Sequence, residues 1–335
     1  MIQIGIVGTG AWATTLGILL ARAGHTTVLW SRSESRAQEL TTGRVNNRSV
    51  PGVDFPDSMR VTTSATESLF DSKLVIVAVP SVTLRANIRQ IADSISFESK
   101  IVCATKGIEI ESGKRMSQVI IEELPRLGSD QVGVLSGPNL APEIANGKVS
   151  TATIAFSDEF VGKEIQKILS SRVFRVYRSK DVIGVELGGA LKNIIAIGAG
   201  FIDGAGLGAN AKAAYVTRGL HEITRLGVAM GATPDTFAGL SGMGDLVATC
   251  YSTLSRNYRL GTGIASGRNL ESVLQELVQT AEGVPTTQAA VRIAHELRID
   301  MPITTATYNV LFKDADPIET VKELMARTLQ PEIRY

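Results

Sequence analysis

The residues best suited to chemistry in this 335-residue chain are two lysines, an arginine and an aspartate. Lys192 lies inside a long apolar helical pattern, in Glu186-Leu187-Gly188-Gly189-Ala190-Leu191-Lys192-Asn193. At helical spacing it shares a face with Val185, Gly188, Gly189, Ala196 and Ala199, nearly all small, which leaves room beside the amine for a ligand. Burial lowers the pKa of a lysine, so such an amine can exchange protons near neutral pH. The same residues also fit a structural lysine paired with a buried carboxylate. Lys106, in Thr105-Lys106-Gly107, is a lone cation beside a glycine. Ser255-Arg256-Asn257 follows Gly242-Met243-Gly244-Asp245 and offers a planar guanidinium with flanking donors at a helix start. That grouping suits a phosphate, although it is equally a solvated loop.

These residues need a scaffold, and the first thirty positions say which. The apolar run Ile2-Gln3-Ile4-Gly5-Ile6-Val7 leads into Gly8-Thr9-Gly10-Ala11-Trp12-Ala13 and then a helix. Gly8 permits a tight turn, Gly10 lets backbone N–H groups approach a pyrophosphate, and small Ala13 lets the helix pack on the sheet. Leu16, Leu19, Leu20 and Ala23 recur at helical spacing, and a second strand, Thr26–Trp30, follows within the expected ~30 residues. This is a dinucleotide-binding opening. At the end of the second strand stands Ser31-Arg32-Ser33, with no carboxylate until Glu34. Asp or Glu there holds the ribose 2′-hydroxyl of NAD, whereas Arg accommodates the 2′-phosphate of NADP. The reading is NADP(H), with NAD(H) accepted if Glu34 swings back to the ribose.

Short apolar runs continue at Met59–Thr62, Leu74–Val79, Lys100–Ala104, Gln131–Leu135, Thr151–Phe156 and Val173–Tyr177, alternating with helical patterns. The inner ones are rich in Val and Ile on both faces, as parallel strands covered on both sides should be. From Asp181 onward helical patterns replace them, ending with a helix start at Asp316-Pro317 and an apolar face of Val321, Leu324, Met325 and Leu329. The expected fold is α/β plus all-α: a Rossmann-like doubly wound parallel sheet over 1–180 and a helical domain over 181–335. Ligands of such sheets bind beyond the carboxyl ends of the strands. Val79-Pro80-Ser81, Thr105-Lys106-Gly107 and Ser136-Gly137-Pro138-Asn139 all converge on that edge. Pro80 and the glycines there also serve as ordinary turn residues.

A net charge of +1 with interspersed signs gives no reason to expect nucleic acid or an anionic membrane as partner. Cys103 and Cys250 form no metal-ligand pattern with His25, His221 or His295, and no metal is expected. They read as reduced thiols of a cytoplasmic protein. Val182–Ile202 has the length of a membrane span but carries Glu186, Lys192 and Asn193, and reads as a buried helix.

The chain resembles the bacterial-type NAD(P)-dependent glycerol-3-phosphate dehydrogenases. The matching pieces are Gly8-Thr9-Gly10-Ala11-Trp12, Ala104-Thr105-Lys106-Gly107, Ser136-Gly137-Pro138, Gly188 to Asn193, Gly208-Ala209-Asn210, Gly244-Asp245-Leu246, Ser255-Arg256-Asn257 and Glu282-Gly283, in order over nearly the whole chain. The resemblance implies that Lys192 is the proton donor and acceptor, that Asp245 orients it, and that Lys106 takes part in catalysis. It further implies a substrate site lined by Lys106, Gly137, Asn139, Lys192, Asp245, Ser255, Arg256 and Asn257. The cofactor would meet Gly8, Gly10, Ala11, Trp12, Arg32, Lys106, Ala141, Arg256, Thr280 and Glu282. Three positions depart from the family: Ala13 stands for a frequent Gly, Asn139 for Ser or Thr, and Thr280 for an aliphatic residue. The implied activity is interconversion of dihydroxyacetone phosphate and sn-glycerol 3-phosphate, at the start of glycerophospholipid synthesis. A hydroxyacid or phosphogluconate-type dehydrogenase and a non-catalytic NADP-binding regulator are the rival readings, and a homodimer is left open.

Overall fold

Val, Ile and Leu crowd the first half of the chain in short runs, and there they pair into ten strands. The computed structural model describes residues 1–277, 280–329 and 331–332. The strands are β1 (Gln3–Val7), β2 (Thr26–Trp30), β3 (Val45–Asn46), β4 (Val50–Asp54), β5 (Met59–Thr62), β6 (Leu74–Val77), β7 (Lys100–Cys103), β8 (Val132–Ser136), β9 (Ser150–Ala155) and β10 (Phe174–Ser179). Eight of them form one sheet in the order β10-β9-β8-β7-β6-β1-β2-β5. Alternation along β6 sends Leu74 and Ile76 into one core cluster and Val75 and Val77 into another, so helices cover both faces of the sheet. The strand order reverses beside β1, whose neighbours are β2 and β6, both parallel to it. A crevice for a ligand lies at the carboxyl ends of such a switch point.

Two features depart from the sequence reading. β9 pairs antiparallel with β8, and β10 runs parallel to β9, so the last two strands oppose the rest of the sheet. The link from β8 to β9 holds only the short helix Ala141–Ala145 in place of the full crossover helix usual between parallel strands. The second feature is the β3–β4 hairpin, unmarked in the sequence because its Asn, Pro and Gly residues read as loop. Its buried Asn46 donates to the Thr9 carbonyl (3.0 Å) and the Thr14 hydroxyl (2.7 Å), bracing the glycine-rich turn.

Among the described residues no strand follows Ser179, and helices take over. Helix Val182–Gly204 is the axis of this half, capped by the Asp181 carboxylate, which accepts from Gly184 N at 2.8 Å. It is largely apolar because most of it is buried under other elements, among them Ala209–Ala229, Arg256–Ala265 and Gly283–Glu296. Gly200 and Gly261 let Val182–Gly204 and Arg256–Ala265 touch backbone to backbone, since a Cβ at either would strike a carbonyl of the other helix. The axial helix also grips the sheet domain. Glu186, 3% exposed, accepts from Ser117 N (2.7 Å) and Oγ (2.6 Å) and pairs with Arg115 (2.6 Å). The helix at Pro317–Met325 forms with Asp316 as its cap, but Met325 and Leu329 are exposed rather than part of a buried face.

Candidate active site

Lys192 sits midway along Val182–Gly204, 7% exposed, and faces the short helix Asp245–Cys250. A π-helical turn, Leu240–Gly244, runs straight into that helix. Gly188 lets the turn lie flush on the axial helix, because a Cβ there would come within 2.6 Å of the Ser241 carbonyl. Wide turns of this kind re-aim side chains at functional sites. Here the result is that Asp245, 1% exposed, points between two ammonium groups. Its Oδ1 accepts from Lys192 Nζ at 2.8 Å and its Oδ2 from Lys106 Nζ. Lys106 also donates to the Gly137 carbonyl at 3.1 Å. Lys192 donates further to the Thr249 hydroxyl, which in turn donates to the Asp245 carbonyl at 2.7 Å.

The two halves of the molecule meet at this point. Gly189 removes the side chain that would otherwise collide with Ser136 Oγ, bringing the axial helix against the end of β8 and the strand-end loops. Gly107 and Gly137 hold φ of 157° and 151°, values L side chains rarely adopt. Two cations and one anion leave the cluster with a net positive charge. Burial pushes the Lys192 amine down to about 8, with Lys106 adding to the shift and Asp245 opposing it. Lys192 is thus paired with a buried carboxylate, and its amine lies below the usual lysine range.

The Ser255-Arg256-Asn257 segment begins helix Arg256–Ala265. Ser255 is its cap, with the hydroxyl accepting from Tyr258 N at 3.2 Å. The Asn257 side chain turns inward, donating to Asn193 Oδ1 (2.9 Å) and accepting from Gly283 N (2.9 Å). Both side chains brace the protein, yet the Ser255 hydroxyl and the second Asn257 amide N–H keep donor capacity, so the segment offers an anion these donors, its backbone and the Arg256 guanidinium. The N–H groups of Arg256 and Asn257 have no intrahelical acceptor, as at any helix start. The Arg256 guanidinium has no hydrogen-bond partner or ion pair among the described residues; burial lowers its pKa, while the nearby Glu282 charge acts the other way. Asn139 braces the protein as well: its amide donates to Ser150 Oγ (3.1 Å) and the Thr151 carbonyl (2.9 Å) of β9. Its Oδ1 is buried without a hydrogen-bond partner among the described residues, so the side chain keeps an acceptor for a ligand.

The residues present fit a dinucleotide. Gly8 holds φ of 120° with the Ala78 carbonyl 2.8 Å from where a Cβ would be, while nothing lies within 4 Å of such an atom at Gly10. Helix Ala11–Arg22 starts at that open point with no side-chain cap, leaving its first N–H groups available to a phosphate. Trp12 keeps a buried indole N–H without a partner. Arg32 is exposed at the end of β2, and Glu34 accepts from the Thr63 hydroxyl (3.0 Å). Ala141 lies against the same helix, its carbonyl accepting from Thr15 Oγ1 at 3.1 Å. Glu282 reaches across from the helical half to Ser81, accepting from its N (3.0 Å) and its hydroxyl. Burial raises the Glu282 pKa against the pull of Ser81 and Arg256. Thr280 is exposed just before this segment, and no contact among the described residues ties it to the site.

Two residues of the site were missed in the sequence. Thr249 follows Asp245 by one helical turn, a spacing that could have flagged it. Ser81 stands in Val79-Pro80-Ser81, a segment the sequence brought to the ligand edge without singling out its serine.

The sequence profile described as the N-terminus of NAD-dependent glycerol-3-phosphate dehydrogenase matches residues 3–161, and that of the C-terminus matches residues 181–322. The chain belongs to this family. A glycerol-3-phosphate dehydrogenase [NAD(P)+] of Streptomyces griseus is 42% identical over 99% of both chains. One of Prosthecochloris aestuarii is 43% identical over 98% of this chain and 99% of its own. The crystal structure of glycerol-3-phosphate dehydrogenase from Coxiella burnetii superposes with a TM-score of 0.93 at 35% identity, covering 97% of this chain and 99% of that one. A ketopantoate reductase from Ralstonia eutropha, at 14% identity and a TM-score of 0.59, shares the fold alone. Family membership makes this chain an NAD(P)-dependent oxidoreductase. Among the described residues Val182–Gly204 is the one helix long and apolar enough to cross a membrane, and most of it is buried inside the protein. No group of three His, Cys, Asp or Glu among the described residues could hold a metal ion.

Proposed function

We propose that this chain reduces dihydroxyacetone phosphate reversibly to sn-glycerol 3-phosphate, with Lys192 as the proton donor. The observation that carries this reading is the buried Asp245 carboxylate shared by Lys192 and Lys106. A bound NADPH or NADH supplies the hydride to the ketone carbon. As negative charge gathers on the carbonyl oxygen, protonated Lys192 gives its proton to that oxygen, and the Lys106 ammonium stabilises the charge. Asp245 keeps both amines aimed. In the oxidising direction the neutral Lys192 amine takes the hydroxyl proton.

Arg256 and the free N–H groups at the start of its helix take the substrate phosphate, so binding energy away from the reacting carbon positions it. Gly8, Gly10, Ala11, Trp12, Ala141 and Glu282 hold the cofactor, with Arg32 at the 2′-phosphate. Water is kept from the Lys192 amine by the buried walls of the axial helix and of Asp245–Cys250. The family resemblance supports a cytoplasmic enzyme at the start of glycerophospholipid synthesis, with a homodimer as the assembly to test by its mass in solution.

NADPH consumption against a panel of phosphorylated and carboxylated ketones tests the reading: dihydroxyacetone phosphate should be preferred, and preference for a carboxylate would overturn it. The pH profile gives a second check. Because Lys192 is lowered to about 8 and must be protonated for reduction, kcat/KM for reduction should hold below that pH and fall above it. Oxidation of glycerol 3-phosphate needs the neutral amine and should rise through the same range. For the cofactor, Arg32→Ala should raise KM for NADPH well above any change for NADH, since only the 2′-phosphate loses a partner. Equal changes in both constants would remove Arg32 from cofactor selection.

A further inference from the structure

A second buried lysine lies outside the reaction centre. Lys212, in the first turn of helix Ala209–Ala229, is 6% exposed and forms an ion pair with Asp203 near the end of the axial helix. Its Nζ sits 3.9 Å from the ring centroid of Tyr251 and 5.1 Å from that of Tyr258. The Tyr258 hydroxyl donates to Asp203 Oδ2 at 2.6 Å, closing the cluster. Tyr251 caps the carboxyl end of Asp245–Cys250, the helix that carries Asp245 and Thr249. Tyr258 lies in the first turn of the helix that begins with Arg256. The segment between the two rings contains Ser255, Arg256 and Asn257.

We propose that Lys212 is a positioning residue for substrate phosphate binding: with Asp203 it clamps Tyr251 and Tyr258, the two ends of the loop that presents Arg256. The inference rests on placing the phosphate at Arg256. A buried ion pair is a poor device for stability, because well-packed apolar residues of similar size usually serve as well or better. It is a good device for holding two rings in fixed places, since a cation attracts each ring face and Asp203 fixes the cation. The loop between the rings buries no apolar side chain: Leu254 is largely exposed, and the buried members, Ser255 and Asn257, are polar. Without the cation the loop's carboxyl end would still be held by the Ser255 cap and by Asn257 on Asn193 and Gly283, while its Tyr251 end would lose its fixed partner.

The test compares variants in KM for dihydroxyacetone phosphate, in Ki for inorganic phosphate as a competitive inhibitor, and in kcat. Lys212→Met keeps the stem and removes the charge. It should raise KM and Ki together by about tenfold while kcat stays within about threefold, because positioning of a bound group is lost and the proton donor is not. Lys212→Arg, which restores the cation, should recover most of the loss. Tyr258→Phe, which keeps the ring and drops its bond to Asp203, should fall between.

A folded Lys212→Met enzyme with unchanged KM and Ki would overturn the proposal, as would loss of kcat in step with KM. If that variant does not fold, Tyr251→Leu and Tyr258→Phe carry the test, and unchanged constants in both overturn it. Arg256→Ala separates the two levels. If it leaves Ki for phosphate unchanged, the phosphate placement is wrong; if it raises Ki while Lys212→Met does not, only the clamp is wrong.

Discussion

Lys192→Met should fold, bind NADPH as the parent does, and lose about 10²–10⁴-fold in kcat for reduction of dihydroxyacetone phosphate, the usual contribution of a positioned general acid. Methionine keeps the length and apolar packing of the side chain within the axial helix, so the loss isolates the transferable proton. The hydrogen bonds to Asp245 and Thr249 go with it. Asp245 retains Lys106 as a counter-ion, so the buried carboxylate is not stranded. Circular dichroism and NADPH titration check the fold and the cofactor site. A variant that passes both controls and turns over within a few-fold of the parent would remove Lys192 from the mechanism and shift the proton to Lys106.

Arg256→Ala should raise KM for dihydroxyacetone phosphate by about 10–100-fold, because hydrogen bonds to charged groups contribute roughly 1.5–3 kcal/mol. The guanidinium has no protein partner among the described residues, so its removal leaves no orphaned group behind, and the effect should fall on ligands rather than on folding. Arg256→Lys keeps the charge but loses the planar fork, and should recover only part of the affinity. A KM unchanged in both variants would move the phosphate site elsewhere. Some loss of NADPH affinity is compatible with the reading, since the family resemblance also places Arg256 beside the cofactor.

What the sequence revealed was local. The apolar run into Gly8-Thr9-Gly10 is decided by neighbours, and so is the small-residue face beside Lys192, which follows from helical periodicity alone. Pairings across long separations were not legible in that way. Asp245 meets Lys192 and Lys106 across 53 and 139 residues, and no spacing rule brings three such positions together. That Asp245 orients Lys192 was implied by the resemblance; that it also takes Lys106 came only from the structure. The direction of β9 was hidden for a related reason: strand composition says nothing about which way a strand runs when the connecting helix is short. Asn257 shows a third limit. Its type suits a phosphate contact, but that its side chain also ties Asn193 to Gly283 could not be read from residue type, which does not encode rotamer.

The grip of Glu186 on Ser117 has a consequence for how the protein is made. Synthesis proceeds from the amino end, so the sheet domain leaves the ribosome before the axial helix exists. Until residue 186 emerges, the helix that begins at Met116 has an unmet backbone N–H at Ser117 and an Arg115 without its partner. Water can serve those groups only while the surface stays open. The final closing of that surface therefore waits for the second half, which makes the sheet domain a late finisher although it is translated first.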